Sequence, residues 1–229
     1  MQAVILAGGE GRRLRPYTSV LPKPLLPVHD RPVLEMIVNQ LRDVGITRLT
    51  FAVGYLAGLL QAYFGDGTRL GVDIRYSMED RPLGTAGPLT LIDRPDDHFI
   101  VMNGDVLTDL DFAAFRRAHL ASGAIATLAT FRKEVQISLG VLELDERAKV
   151  TGYIEKPTMH YPVSTGIYYF DPRVLGYIPE NERFDLPDLI RRLVAAGEAV
   201  ETFPIEGRWL DIGRPEDYEA ALAIFGGED

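Results

Sequence analysis

The chain has 229 residues, 46% hydrophobic and 25% charged, a composition typical of soluble globular proteins. It has no cysteine, which excludes disulfides, thiolate metal sites and cysteine nucleophiles and fits a cytoplasmic location. The net charge is −9, whereas residues 1–31 hold five cations and two acids, so we expect a local positive pocket for a small anion rather than a nucleic-acid surface. No membrane helix is expected, since no stretch reaches about 18 apolar residues, and no signal peptide pattern precedes the first strand.

Strands and helices alternate along the first half of the chain, judged from apolar runs and from apolar residues at helical spacing. The predicted elements there are strand 4–6, helix 33–44, strand 49–53, helix 55–64, strand 72–76, helix 85–92, strand 99–102 and helix 112–121. The second half predicts strands 124–131, 140–144, 150–154 and 166–170, helix 184–196, strand 200–204 and helix 216–225. This order predicts one α/β domain over residues 1–229, with a mostly parallel mixed sheet covered by helices and a small β-rich insertion.

Three polar or glycine-rich segments follow predicted strands, namely the turn after strand 4–6, residues 82–87, and Asn103-Gly104-Asp105. Ligands of parallel α/β sheets bind beyond the carboxyl ends of the strands. We therefore expect these distant segments to converge on one crevice.

The first of these segments is a glycine-rich turn, residues 8–11, followed by Arg13 and Lys23. Glycines let backbone N–H groups approach phosphate oxygens, and the two cations add fixed charge. The turn lacks the Gly-Lys-Ser/Thr of a P-loop, and Leu14 replaces the third glycine of a dinucleotide fingerprint. The pattern favours a nucleoside triphosphate, and the alternative is a solvated basic loop.

Two aspartates are candidate metal ligands. Asp105 follows an apolar strand, and Asp211 stands between apolar residues in the segment 209–213. Hard oxygen ligands suit Mg²⁺, which commonly binds one or two carboxylates plus substrate phosphates. The alternatives are a turn aspartate at position 105 and a helix cap at position 211.

Two weaker motifs point to a phosphorylated sugar. Lys156 could bind a phosphate and Glu155 could accept hydrogen bonds from sugar hydroxyls, although an exposed ion pair before Pro157 is the favoured interpretation of that motif in isolation. The segment 164–166 could line a polar pocket or simply open a strand.

Taken together, the motifs resemble those of the sugar-1-phosphate nucleotidylyltransferases. Five matches occur in the order of that family: Gly8-Gly9-x-Gly11-x-Arg13-Leu14-x-Pro16-x-Thr18 with Lys23-Pro24, then Pro82-Leu83-Gly84-Thr85-Ala86-Gly87, Asn103-Gly104-Asp105, Glu155-Lys156-Pro157 and Trp209-x-Asp211-Ile212-Gly213. The resemblance implies a Rossmann-like nucleotidyltransferase (GT-A-like) fold with a sugar-binding insertion. It also implies Mg²⁺-dependent formation of an NDP-sugar and pyrophosphate from an NTP and a sugar 1-phosphate. One departure is Arg12, where the family usually has threonine.

By matching position, the resemblance implies a role for each motif residue. Arg13 and Lys23 would be catalytic, and Asp105 and Asp211 would hold the metal. The implied nucleotide-binding residues are Leu6, Ala7, Gly8, Gly9, Gly11, Glu79, Pro82, Gly84 and Thr85. The implied sugar-phosphate-binding residues are Asn103, Gly104, Gly140, Glu155, Lys156 and Gly166. Because the attacking phosphate is already ionised near neutral pH, we expect in-line attack without a general base or a covalent intermediate.

The identity of the nucleotide is less constrained. The carboxylate of Glu79 can only accept hydrogen bonds, which matches the two donors of guanine. The 83–87 segment looks closer to mannose-1-phosphate guanylyltransferases. Both features favour GTP over UTP or dTTP, and with GTP a mannose-type or heptose-type sugar. Two other classes of protein are considered. One is a glycosyltransferase that uses an Asp109-x-Asp111 metal motif, and the other is a catalytically silent regulatory subunit. The resemblance also allows a homo-oligomer, and no C-terminal β-helix domain is expected after the last helix.

Overall fold

The computed structural model of the protein describes residues 1–95 and 97–225. In this part of the chain the strands are β1 (Gln2–Leu6), β2 (Pro27–Val28), β3 (Arg31–Pro32), β4 (Arg48–Val53), β5 (Asp73–Met78), β6 (Phe99–Asn103), β7 (Val106–Thr108), β8 (Ala126–Gln136), β9 (Val141–Leu144), β10 (Val150–Ile154), β11 (Thr158–Phe170), β12 (Val200–Pro204) and β13 (Trp209–Asp211). The helices are α1 (Val33–Asp43), α2 (Ala57–Phe64), α3 (Phe112–Ser122), α4 (Leu186–Ala195) and α5 (Pro215–Ile224). None of the helices in these two ranges combines the length and the apolar character needed to cross a membrane.

The central sheet has seven strands in the order β12-β8-β11-β6-β1-β4-β5. All neighbouring pairs are parallel except the two that involve β11, which runs antiparallel to both β6 and β8. The predicted mostly parallel mixed sheet is therefore confirmed.

The sheet is buried on both faces, which explains the continuous apolar runs of its central strands. Successive side chains of a strand point to opposite faces. Ile5 of β1 accordingly packs into one apolar cluster with residues of α1, whereas its neighbour Val4 packs into the other with residues of α4.

The strand order places the carboxyl ends of four strands at one edge of the sheet. From β1 the chain moves outward through β4 to β5 and then returns to place β6 on the opposite side of β1. Ligands of open α/β sheets bind where the strand order reverses in this way. The loops that follow β1, β4, β5 and β6 therefore surround one crevice.

Three of the predicted elements differ markedly from the structure. The predicted helix 85–92 is wrong, since the segment forms only a short 3₁₀ turn, Gly87–Thr90. Pro88 lacks an N–H, and the N–H groups of Ala86 and Gly87 donate to the carbonyl of Phe184 rather than to a helix of their own. The strands β8 and β11 are longer than predicted and pair with each other over much of their length, and near this pair β9 and β10 form a separate hairpin. We call the segment 131–163 the β arm.

Candidate active site

A cavity of about 720 Å³ opens at the carboxyl ends of β1, β4, β5 and β6, and we call it the strand-end cavity. Its volume lies within the roughly 300–1,000 Å³ that is typical of small-molecule sites. The lining residues are Leu6, Ala7, Gly8, Gly9, Glu10, Arg12, Lys23, Pro24, Ala52, Gly54, Tyr55, Glu79, Asp80, Arg81, Pro82, Gly84, Thr85, Pro88, Asn103, Asp105, Arg183 and Asp185. The three segments expected to converge thus meet in one cavity.

The glycine-rich turn forms one wall of the strand-end cavity. Gly11 has a left-handed backbone with φ of 61° and precedes a 3₁₀ turn that begins at Arg12. The hydroxyl of Thr18 donates a hydrogen bond of 2.8 Å to the carbonyl of Gly11 and holds the turn in place. A Cβ on Gly8 would lie 2.9 Å from Glu79 Oε1, so glycine at this position lets the Glu79 carboxylate lie directly against the turn.

The opposite wall contains Glu79 and the turn that follows it. The N–H of Leu83 donates to Glu79 Oε2 at 2.7 Å, which orients the carboxylate. Burial raises the pKa of Glu79, and the hydrogen bond from Leu83 opposes that rise. The carboxylate therefore has a fixed orientation at the rim of the cavity.

The turn 82–87 is fastened to the segment before α4. The N–H of Thr85 donates to Asp185 Oδ1 at 2.9 Å, and the hydroxyl of Thr85 accepts from the N–H of Leu186 at 2.8 Å. Gly84 has φ of 82°, and a Cβ there would lie 2.6 Å from Asp185 Oδ1 and 2.7 Å from the carbonyl of Phe184. Position 84 is thus restricted to glycine both by its backbone and by the space around it.

We expect Gly84→Ala to lower the free energy of unfolding by about 2 kcal/mol or more, because it adds left-handed strain and pushes the turn away from Asp185. Denaturant-induced unfolding would measure this loss. The matched control is Gly58→Ala in α2, where an added Cβ meets no atom within 4 Å and alanine favours the helix. Equal unfolding midpoints for wild type and Gly84→Ala would contradict the conclusion that position 84 requires glycine.

A lysine and two carboxylates meet beside the strand-end cavity: Lys23 and Asp105 line it, whereas Asp211 contacts Lys23 without being part of the lining. Lys23 Nζ donates to Asp105 Oδ2 and lies 3.7 Å from Asp211 Oδ1. The antiparallel pairing of β7 with β13 brings the two aspartates together, and the N–H of Ile212 donates to the backbone carbonyl of Asp105 at 3.1 Å. Burial and the neighbouring charge of Asp105 raise the pKa of Asp211, whereas Lys23 and Arg13 oppose the rise.

The donor set of this pair fits a divalent cation. Asp105 Oδ1 is buried and accepts no hydrogen bond from the described part of the chain, so one carboxylate oxygen is left for another ligand. Residues 1–95 and 97–225 gather no group of three or more His, Cys, Asp and Glu side chains that could enclose a metal. Two carboxylates that leave other positions to substrate oxygens are the arrangement typical of Mg²⁺.

Formal charge in the strand-end cavity is mixed rather than positive. Its lining includes four cations (Arg12, Lys23, Arg81 and Arg183) and five acids (Glu10, Glu79, Asp80, Asp105 and Asp185). The expected positive pocket is therefore wrong, because acids from later segments fold against the basic amino-terminal region. The lining therefore carries no net positive formal charge.

Several predicted residues flank the cavity without lining it. The guanidinium of Arg13 lies against Gly213, where a Cβ would be 3.4 Å from Arg13 Nη2. Gly104 donates its N–H to the carbonyl of Leu6 at 2.9 Å. Gly166, with φ of 76°, lies against Asn103, and a Cβ there would be 2.5 Å from Asn103 Nδ2.

Three predicted sugar-phosphate residues lie on the β arm and do not line the strand-end cavity. Gly140 is covered by the ring of Tyr153, whose hydroxyl donates to Glu155 Oε2 at 2.7 Å. Lys156 Nζ is 3.9 Å from Glu155 Oε1, and both side chains are more than half exposed. Of the six predicted sugar-phosphate residues, Asn103 is the one that lines the cavity.

Sequence reasoning missed other residues of the cavity. Glu10 lies within the glycine-rich turn and Arg12 follows it, so their position in the motif was a usable signal, and Arg12 was noted there only as a departure from the family. Arg183 and Asp185 come from a segment about 100 residues beyond the turn 82–87 that they contact, and no local pattern marks them.

The family model for nucleotidyl transferases matches residues 2–225. The chain belongs to the nucleotidyl transferase family. The resemblance drawn from the sequence motifs is therefore confirmed at the level of the family.

Curated relatives of this nucleotidyl transferase carry two different substrate names. It is 38% identical to the UTP–glucose-1-phosphate uridylyltransferase of Synechocystis sp. over 97% of its own length and 62% of the relative. It is 34% identical to the mannose-1-phosphate guanyltransferase of Yarrowia lipolytica over 98% of its own length and 64% of the relative. The chain thus spans 62% and 64% of the length of these relatives.

A solved structure from Bacillus anthracis, of a candidate glucose-1-phosphate thymidylyltransferase in complex with sucrose, has the same fold. The TM-score is 0.81 at 26% identity, over 100% of this nucleotidyl transferase and 96% of that chain.

Proposed function

We propose that this nucleotidyl transferase joins an NTP to a sugar 1-phosphate and releases an NDP-sugar and pyrophosphate. The observation that carries the proposal is the placement of Lys23 Nζ beside both Asp105 and Asp211, with the Cβ of Lys23 lying against Gly11 of the glycine-rich turn. Family membership and the names of the two curated relatives support the same reaction class.

In the proposed reaction a phosphate oxygen of the sugar 1-phosphate bonds to the α-phosphorus of the NTP, and the bond from that phosphorus to the bridging oxygen of pyrophosphate breaks. The attacking oxygen is already ionised, so no residue needs to accept a proton. Lys23 and Arg13 screen the repulsion between the two anions, and the N–H groups of the turn 8–11 hold the phosphates in line. Asp105 and Asp211 would hold Mg²⁺, which would supply further positive charge to the phosphates.

We assign the sugar phosphate to the side of the carboxylate pair where Gly166 meets Asn103. Gly104 adds a backbone that approaches β1 closely. Gly140, Glu155 and Lys156 are proposed to contact the same substrate from the β arm.

The nucleotide is proposed to be GTP, because the oriented carboxylate of Glu79 offers two acceptor oxygens to the N1–H and N2–H donors of guanine. UTP is the second candidate, since the uridylyltransferase relative is 38% identical. If the nucleotide is GTP, the sugar is proposed to be mannose-type or heptose-type.

We expect Glu79→Gln to lower the ratio of kcat/KM for GTP to that for UTP by about ten- to hundredfold, because the amide places a donor against guanine. Pyrophosphate release with each nucleotide would measure the ratio. Asp80→Asn, a neighbouring rim carboxylate without the Leu83 hydrogen bond, is the matched control. An unchanged ratio in Glu79→Gln would exclude this residue as the base reader.

The reaction class is tested by measuring pyrophosphate release with four NTPs and a panel of sugar 1-phosphates. Release that requires both substrates supports the proposal, whereas nucleotide-sugar binding without release would indicate a silent binding subunit. A glycosyltransferase would use Asp109 and Asp111 as metal ligands, but both carboxylates are engaged elsewhere. Arg208 Nε donates to Asp109 Oδ2 at 2.8 Å, and Asp111 Oδ1 accepts from the N–H of Ala114 and caps α3. Both carboxylates therefore have structural partners.

A further inference from the structure

An exposed ion pair stands at the wall of the strand-end cavity, on the glycine-rich turn. Arg12 Nε donates to Glu10 Oε2 at 2.6 Å, and Arg12 Nη2 donates to Glu10 Oε1 at 3.1 Å. Both residues line the cavity, and their side chains are 75% and 42% exposed. A guanidinium in this two-pronged geometry is already arranged to bind a planar or tetrahedral oxyanion.

The adjacent side chains of Arg12 and Arg13 point in different directions. The guanidinium of Arg13 lies against Gly213 and acts on Asp211, whereas Arg12 lines the cavity. Lys23 is engaged by Asp105 and Asp211. Among the described residues, Arg12 is thus a cation of the cavity lining that is paired with the neighbouring exposed carboxylate of Glu10.

The energetics favour exchange of that partner. Exposed ion pairs contribute little to stability, since water screens them and both side chains lose freedom. A polyphosphate presents several charges and tetrahedral oxygens that an arginine can bind through two hydrogen bonds. We propose that Arg12 binds the terminal phosphates of the nucleotide and makes the site selective for triphosphates, with Glu10 holding the guanidinium until nucleotide enters. This inference rests on the proposed function, and it gives the arginine that replaces the usual threonine a defined role.

The test measures equilibrium binding of GTP, GDP and GMP, and of the uridine series, by calorimetry at fixed Mg²⁺ without any sugar phosphate. Arg12→Ala is expected to lose about tenfold or more in triphosphate affinity, while monophosphate affinity stays within twofold. Glu10→Gln is expected to bind triphosphates severalfold more tightly because the competing carboxylate is gone. Arg15→Ala is the matched control, since Arg15 is exposed on the same loop and is not among the residues that line the cavity.

The outcomes separate this inference from the proposed function. If Arg12→Ala keeps the wild-type ratio of triphosphate to monophosphate affinity, or if Arg15→Ala loses as much, the role of Arg12 is wrong while the proposed function stands. If the wild type binds no nucleoside phosphate of either series, the proposed function fails and the inference fails with it. Circular dichroism of each variant would establish that the fold is retained.

Discussion

Asp105→Asn should reduce kcat by about a thousandfold and raise the Mg²⁺ concentration needed for half-maximal activity. The side chain contacts Lys23 through Oδ2, and its buried Oδ1 has no hydrogen-bond partner in the described residues. Replacing this carboxylate removes one of the two side chains proposed to bind the metal. An amide also turns a donor toward Lys23, which disturbs the cation proposed to screen the α-phosphorus.

The measurement for this variant is pyrophosphate release as a function of Mg²⁺ concentration. Asp30→Asn is the matched control, because that carboxylate is 84% exposed and its Oδ1 lies 3.8 Å from Arg31. The melting temperature of each variant reports whether folding is retained. If Asp105→Asn kept more than a tenth of wild-type turnover with an unchanged Mg²⁺ response, the proposed metal site would be wrong.

Lys23→Ala should also reduce kcat by about a thousandfold, because the cation beside the α-phosphorus would be lost. The same change should destabilise the metal-free protein by about 1–3 kcal/mol, since Asp105 and Asp211 would lose the ammonium group that contacts both carboxylates. Added Mg²⁺ should restore part of this stability by replacing the ammonium group. A purely structural lysine would not produce a Mg²⁺-dependent rescue of the melting temperature.

Turnover and thermal unfolding of Lys23→Ala, each with and without Mg²⁺, would test these expectations. Lys133→Ala on the exposed part of β8 is the matched control for loss of one positive charge. Near-wild-type turnover by a folded Lys23→Ala protein would remove this residue from the proposed mechanism. A nucleotide covalently attached to the wild-type enzyme would instead contradict direct attack by the sugar phosphate.

The central strands illustrate which features of the fold could be predicted. The residues of β1, β4 and β6 are buried on both faces of the sheet, so their apolar runs identify them without tertiary information. The segment 85–92 illustrates the opposite case. It carries apolar residues at near-helical spacing, yet the N–H groups of Ala86 and Gly87 donate to the carbonyl of Phe184, about 100 residues away.

The candidate site divides in a similar way. The glycine-rich turn and Asp105 follow strands directly, so their place at the carboxyl edge could be inferred from local order. Three other features could not be inferred in this way: the hydrogen bond from Thr85 to Asp185, the absence of Glu155 from the cavity lining and the mixed charge of that lining. Each depends on which distant segments fold against one another.

The amino-acid sequence by itself determined the class of fold, the order of the motifs and the residue types available for phosphate chemistry, because strand burial and glycine turns leave local patterns. The motif resemblance predicted that Asp105 and Asp211 act together, and the tertiary structure supplied the means, since β7 and β13 pair across about 100 residues of chain and place both carboxylates beside Lys23. It also decided which cations face the cavity. Side-chain direction and long-range pairing are set by packing, and packing leaves no signal at a single position.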